Sequence, residues 1–377
     1  MSSQKSSPRF RFTGAALLLS VLVFLIPALH SGNPILYLLA VLVPCVLFLS
    51  CTAIARMFSL DRMLLAVSLY LCAMGVAALA PADPNAALSQ ALRCGIGLFV
   101  LLIGGILIRS LSPSLLTAAC MSLLGLLLLV GKMLSPSLTL SLTEGALALL
   151  LIAFASLFAR QGSVPAALLG FVVMVLLLIR GETDTALLWG LSVLLLVFAA
   201  DGRPVIFLPT LAVMVLLFFG AYQIYAVPTA VPDTSVLAVL IPAGATGSDT
   251  LSAEITSLNT VSLFPRLTGH YGLIFSGLSI LMFLPFSLRG ASVASSARTR
   301  FHAILAMGIT LMLALRTLAA ALAAFGFSPF HAPAVPFLTS SAPDLCSQLF
   351  LVGLLCGISG RSDADLAEDA HLAMLAK

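Results

Sequence analysis

The feature that most constrains this chain is a succession of apolar runs, each near the length needed to cross a bilayer. A transmembrane helix needs roughly 20 predominantly apolar residues, with a range of about 17–25. Runs of this kind lie at 12–30, 33–55, 63–80, 94–111, 114–134, 145–159, 166–179, 185–200, 205–226, 272–288, 302–327 and 344–358. The shorter ones have to borrow flanking residues or tilt. Only 8% of the 377 residues are charged, against about 25% in soluble domains. In lipid every backbone polar group must be satisfied internally, and helices do this within one segment. The expected fold is therefore an all-α polytopic membrane protein with twelve spans. The net charge of +4 is too small to point to nucleic acid.

The basic residues set the orientation instead, because Lys and Arg in short connections stay in the cytoplasm. If the N-terminus is cytoplasmic, one side collects Lys5, Arg9, Arg11, Arg56, Arg62, Arg109, Arg160, Arg203, Arg289, Arg298, Arg300, Arg361 and Lys377. The other side holds only Arg93, Lys132, Arg180 and Arg266. The bias supports an even number of spans with both termini cytoplasmic. Lys5, Arg9 and Arg11 precede a long apolar run as in a signal peptide, yet no small-residue cleavage site follows, so the run is read as a retained first helix. The seven cysteines lie in or beside apolar runs. None forms a CxxC or Cys/His pair at metal spacing, so they read as small packing residues and no metal site is expected.

One long polar interruption, 227–271, breaks the apolar pattern and carries Asp233, Asp249, Glu254, Arg266 and His270. Loops this long among closely spaced helices are functional or linkers. The orientation puts it outside the membrane, on the side that also collects Asp83, Glu144, Glu182, Asp184 and Asp344. Glu144 abuts a helix start, and Glu182 and Asp184 sit in a tight break between spans. Acids at the ends of apolar helices are costly unless they face water. They either mark the interface or line one outward polar cavity shared with the long loop. The segment from Ser328 to Pro343 contains prolines at 329, 333, 336 and 343. Proline at this density forbids helix, and such backbone at membrane depth survives only inside protein or along a cavity. It reads as a re-entrant loop near the long one. The tail 362–377 opens with a capping serine and early acids, as a short cytoplasmic helix would. Arg316 falls mid-span, an expensive position whose partner is best sought in Glu144 or Asp344.

Several stretches carry a resemblance. Val335-Pro-Phe-Leu-Thr-Ser-Ser-Ala-Pro-Asp344, leading into an apolar helix with Gly353, is similar to a run L-P-F-x-S-Y-G-G-S-S; Pro336, Phe337 and Gly353 match, while Ser340, Ser341 and Ala342 stand for the tyrosine and paired glycines. His270-Tyr-Gly-Leu-Ile274 resembles E-E-x-G-L-I, and Ala297-Arg-Thr-Arg-Phe-His302 resembles a basic turn before a late helix. Asp61-Arg-Met-Leu-Leu65 resembles the start of a first helix. Ser141-Leu-Thr-Glu-Gly-Ala-Leu147 stands where Q-P-S-E-x-x-K is found, with Glu144 matching and Leu147 replacing the lysine. Arg180-Gly-Glu-Thr-Asp-Thr-Ala-Leu187 stands where Q-P-D-x-G-T-A-L is found, with Glu182 in the aspartate's place and Thr185 matching. Together, from about Leu60 to Arg361, the chain resembles the SEDS family (shape, elongation, division, sporulation), the group of FtsW, RodA and SpoVE.

The resemblance implies a ten-helix core over 61–361, with two additional helices in 1–60 and a cytoplasmic tail at 362–377. It implies residence in the bacterial cytoplasmic membrane and polymerisation of lipid II into glycan strands on its outer face, beside a class B penicillin-binding protein, in division or elongation. The family's proposed catalytic aspartate lies in T-D-F-x-F; the matching run here is Thr260-Val-Ser-Leu-Phe264, with Val261 in that position. Such a transfer needs a base for the acceptor hydroxyl. It also needs basic residues or a divalent cation for the leaving diphosphate. With valine at 261, the base has to come from Asp249 or Glu254 in the loop, or from Glu144, Glu182 or Asp184 in the outward breaks. Arg180 and Arg266 are placed to approach phosphate, and Pro336, Thr339, Ser340 and Ser341 are the motif positions expected at substrate. His270 and His331 read as hydrogen-bonded loop histidines rather than bases. Three functions stay open: a SEDS glycosyltransferase with a relocated carboxylate, a catalytically inactive scaffold for a transpeptidase, and a flippase or transporter of a lipid-linked substrate. Transporters often show matched internal repeats, and no convincing repeat is present here.

Overall fold

The computed structural model describes residues 34–58, 60–81, 83–134, 142–202, 204–225, 262–324 and 333–375, with positions 21 and 25. In chain order the helices are α1 (Pro34–Met57), α2 (Arg62–Leu79), α3 (Pro84–Ser110), α4 (Leu115–Leu134), α5 (Thr143–Gln161) and α6 (Ser163–Ile179). They continue with α7 (Thr183–Asp201), α8 (Pro204–Tyr225), α9 (Phe264–Leu281), α10 (Phe283–Ser296), α11 (Arg300–Ala324) and α12 (Ala342–Leu375). Among the described residues there is no strand, only an isolated antiparallel bridge between Ser262 and Thr339. Among the described residues, seven helical stretches are long and apolar enough to cross a membrane by length and composition, and shorter apolar helices accompany them. This is the all-α, multi-pass architecture expected from the apolar runs. The expected span 12–30 lies outside the described residues.

The helix starts follow local chemistry. Asp61 caps α2, accepting from the backbone N–H of Met63 at 2.9 Å and of Leu64 at 3.4 Å. Asp83 caps α3, accepting from Asn85 N–H at 2.9 Å, with Pro84 in the first turn where its missing donor costs nothing. That cap moves the start of this helix ten residues ahead of the apolar run read from 94, because polar residues in its first turns hide it.

A helix that is apolar all round is buried, and α2 is the example: from Leu64 to Leu79 every residue is buried. The packing of α12 along α3 is the most extensive helix pair among the described residues. It depends on small residues, which let helix backbones approach closely in a membrane. A Cβ on Gly353 would lie 2.0 Å from the Leu101 carbonyl oxygen, and one on Gly104 2.7 Å from that of Phe350. On the outer surface Leu38, Val41, Phe99, Leu116 and Leu216 are exposed, as lipid-facing side chains are.

Three expectations about boundaries need correction. The long polar interruption does not reach residue 271: α9 already begins at Phe264, and Phe264, Pro265, Leu267, Thr268, Gly269 and Tyr271 are buried. A break at Gly272 (φ 79°, ψ −179°) separates this first part from the rest of α9. The expected span 272–288 is split again at Met282, between α9 and α10. The expected separate helix in the tail is instead the continuation of α12 through Leu375. No proline follows Pro343 in this stretch, so nothing in the sequence forces the helix to stop.

The charges sort between two ends of the bundle. At one end Arg289 pairs with Asp61 (2.5 Å), which also accepts from Ser359 Oγ at 3.0 Å. Arg300 pairs with Asp201 (2.8 Å) and lies over the Phe158 ring; Arg160 donates to Pro113 O at 2.7 Å, and Arg109 donates to Phe58 O. The starts of α3, α5, α7, α9 and α12 lie at the other end.

Candidate functional site

At that second end, residues 333–341 cross between helices as an irregular strap with a turn in which Leu338 N–H donates to Val335 O at 3.1 Å, and side chains from three helices, with the chain just ahead of a fourth, fasten it. Leu263 N–H, just before α9, donates to Leu338 O at 2.9 Å, alongside the Ser262–Thr339 bridge. From α3, Gln90 donates to Thr339 O at 2.9 Å and Arg93 to Ser340 O at 2.6 Å. From α11, Arg316 Nε donates to Ala334 O at 3.2 Å. From α12, Gln348 Oε1 accepts from Phe337 N–H at 2.6 Å. Val335, Pro336, Phe337, Leu338 and Thr339 are buried. The backbone of a buried proline-rich segment needs partners, and these amides and guanidinium groups supply them.

Phe337 is the strained residue of the strap. Its φ of 67° lies in the left-handed region, uncommon for a bulky residue. Such a conformation costs about 1–3 kcal/mol and persists only where the surroundings over-determine it. Here the Gln348 bond and a stacked contact with Phe283 (centroids 6.0 Å apart, rings 15° from parallel) hold it.

Beside the strap lies a cluster of charges. Glu144, in the first turn of α5, forms an ion pair with Arg316 from the second half of α11. Asp344, in the first turn of α12, acts on the same guanidinium electrostatically. One residue before Glu144, Thr143 Oγ1 donates to Glu182 Oε1 at 3.4 Å and accepts from Arg180 Nη2 at 3.2 Å. Arg180 and Glu182 are themselves paired at 2.6 Å, and only 6% of the Arg180 side chain is exposed. Asp184 follows in the first turn of α7, half-buried. An isolated charge at membrane depth is expensive, and both of these arginines are matched to a carboxylate.

The structure thus brings Arg180 and Glu182 to Thr143, the residue before Glu144 at the start of α5, with Asp184 two residues along from Glu182. It brings Pro336, Thr339, Ser340 and Ser341 together on the strap, where Ser341 N–H donates to Thr339 Oγ1 at 3.1 Å. Arg266 and His270 are half-buried on the first turns of α9, not on an open loop. Asp249, Glu254, Val261 and His331 lie outside the described residues. Of the two expected partners of Arg316, Glu144 makes the ion pair and Asp344 adds to it. Sequence reasoning misses Gln90, Arg93 and Gln348. A signal exists, since a glutamine inside an apolar helix needs a partner, but the partner of Gln90 is a backbone carbonyl more than 240 residues away. Among the described residues no three His, Cys, Asp or Glu side chains group so as to hold a metal ion.

The comparisons with known proteins agree with this architecture. No family model matches the chain. A curated relative, the probable peptidoglycan glycosyltransferase FtsW of Geobacter sulfurreducens, is 27% identical over 225 residues, 54% of this chain and 60% of the relative. The alignment therefore spans less than two thirds of that relative. The rod shape determining protein RodA of Thermus thermophilus superimposes with a TM-score of 0.59 at 18% identity, covering 80% of this chain and 96% of that one. The chain is thus similar in sequence to an FtsW and in fold to a RodA, two members of the SEDS group that the motif runs resemble. A chain from a peptidoglycan synthase complex, solved for the coordination of polymerization and crosslinking, also superimposes, with a TM-score of 0.55 at 20% identity over 81% of this chain and 98% of that one. The strap contains Pro336 and Phe337, which match the L-P-F run of the resemblance, and Glu144 stands where that resemblance has the glutamate of Q-P-S-E-x-x-K.

Proposed function

We propose that this SEDS protein works in bacterial cell-wall synthesis as a peptidoglycan glycosyltransferase, polymerising lipid II in the cytoplasmic membrane beside a class B penicillin-binding protein. One observation carries the reading: the family's motif residues, scattered from Glu144 to Asp344 in sequence, meet at one end of the bundle around a strained, buried strap. The FtsW relative and the synthase complex among the structural neighbours support the same activity and a transpeptidase partner. The arginine-rich end around Asp61 and Arg289 is assigned to the cytoplasm, which turns the strap outward. In this reading 61–361 forms the ten-helix core, 1–60 adds two spans, 362–377 is the cytoplasmic tail, and both termini are cytoplasmic.

The chemistry divides among the residues. Glu144 and Glu182 are each held by an arginine, so they orient the cations of the site. The base for the acceptor hydroxyl then falls to Asp249 or Glu254 of the loop, or to Asp184 in the first turn of α7. Arg180 and Arg266 are assigned to the leaving diphosphate, since positioned donors stabilise developing charge. Pro336, Thr339, Ser340 and Ser341 present the strap to substrate.

A second reading rests on a specific observation: Val261 stands at the family's aspartate, and valine cannot move a proton. The chain is then a scaffold that holds a transpeptidase. Purified protein reconstituted with its partner and lipid II separates the two. The enzyme reading predicts glycan strands that vanish in Asp249→Ala or Glu254→Ala. Strands unaffected by every loop-acid variant remove the relocated base, and no strands with intact partner binding favours the scaffold. Transbilayer movement of labelled lipid without polymer would point to the flippase.

A further inference from the structure

The E-x-x-K spacing places a glutamate and a lysine on one face of a helix, one turn apart. This chain keeps the glutamate as Glu144 and has Leu147 at the lysine position, buried in the core. A lone carboxylate there would be buried without a counter-charge, because Glu144 is only 7% exposed. The structure supplies the charge from another helix: Arg316, in the second half of α11, pairs with Glu144. The same guanidinium donates to the strap at Ala334 O and feels Asp344 at the start of α12. A lysine on α5 would reach Glu144 from its own helix; an arginine on α11 ties α5, α11 and the strap together.

We propose that Arg316 is the relocated cation of the site: it takes over the charge that Leu147 lost and acts as the positioning residue that sets Glu144 and the strap for a lipid-linked substrate. The substrate clause rests on the proposed function above, whereas the charge relocation does not. Planarity and several donors in a fixed fork suit arginine to bonding two partners at once. The two observations are independent, one a substitution at 147 and the other an ion pair from 316.

The experiment is a rescue cycle on the full chain in detergent or nanodiscs. Arg316→Gln strands Glu144, and its Tm should fall by about 5–10 °C, as expected for breaking a buried pair. Adding Leu147→Lys should restore at least half of that loss, although the same Leu147→Lys in the parent chain should lower Tm by crowding a second cation beside Glu144. If Arg316→Gln fails to fold, Arg316→Gln with Glu144→Gln should fold better, since no charge is then stranded. Equal Tm values for Arg316→Gln and the parent, or Leu147→Lys destabilising both backgrounds alike, overturn the relocation. With lipid II and partner, Arg316→Gln should raise KM about tenfold or more with kcat little changed, and Leu147→Lys should bring KM back. A Tm rescue with KM unmoved would leave Arg316 a structural tie and overturn its positioning role. A parent chain that makes no polymer would refute the proposed activity, and the Tm cycle would still decide the relocation.

Discussion

Gly353→Ala adds one methyl group at the closest approach between α3 and α12. That carbon would sit 2.0 Å from the Leu101 carbonyl oxygen and 2.8 Å from its carbonyl carbon. A tolerated carbon–oxygen contact is about 3.3 Å, so the helices are too close by about 1.3 Å. The obstacle is helix backbone, and no rotamer change moves it. The two helices have to separate along a seam that also contains Gly97, Gly104, Gly105 and Gly357. A gap of 0.5–1 Å already forfeits roughly a quarter to a half of each dispersion contact. Overpacking costs about 1–3 kcal/mol, and the loss along the seam puts this change at the upper end, near 3 kcal/mol. Gly95→Ala in α3 is the internal control: its added carbon would meet nothing within 4 Å, and alanine in a helix gains about 0.5–1 kcal/mol over glycine. The two variants should therefore differ by about 4 kcal/mol in opposite directions. Thermal unfolding followed by Trp189 fluorescence in one detergent reads both. Equal Tm values, or a rise in Gly353→Ala, would refute the packing argument.

Other changes test the remaining contacts. Gly272→Ala forces a side chain into a region open essentially to glycine, costing about 1–3 kcal/mol, and hydrogen exchange should rise over 264–271 more than elsewhere. Asp61→Ala removes the cap of α2 and the carboxylate that pairs with Arg289, lowering stability by about 3 kcal/mol; Asp61→Asn keeps the cap and should lose clearly less in the same unfolding assay. Gln348→Leu leaves the buried Phe337 N–H without its acceptor, at about 1–3 kcal/mol, and should loosen the strap to limited proteolysis. Arg93→Ala, which frees the Ser340 carbonyl, should have a smaller effect than Gln348→Leu because Arg93 is more exposed than Gln348.

Much of the architecture is legible in the sequence because lipid imposes a simple rule. Apolar runs of bilayer length become helices, and the count of Lys and Arg on alternate connections anticipates the physical sorting of charges between the Asp61 end and the strap end. The strap itself is legible from its prolines. Boundaries are harder to read where polarity and burial part company. Phe264 to Tyr271 contains Arg266, Thr268 and His270 and reads as loop, yet it forms buried helix because Tyr271 Oη donates to Ala77 O at 3.2 Å and Leu263 joins the strap. The start of α3 is hidden for the same reason: Asn85, Ser89, Gln90 and Arg93 interrupt the apolar run, and two of them serve the strap. The cost of a mid-span arginine narrows the partner of Arg316 to two acids, Glu144 and Asp344, and goes no further. Pairing across 172 residues depends on helix rotation and packing, which no local pattern encodes.

In the proposed function, the strap end of the bundle is where a lipid-linked substrate binds. A lipid II analogue carrying a photoactivatable group on its sugar, irradiated with the full chain in nanodiscs and mapped by peptide mass spectrometry, tests this directly. Labelling should fall within 333–344 and 143–147 and be competed by unlabelled lipid II. Labelling confined to the Asp61, Arg289 and Ser359 end, or labelling that lipid II does not compete, would contradict it.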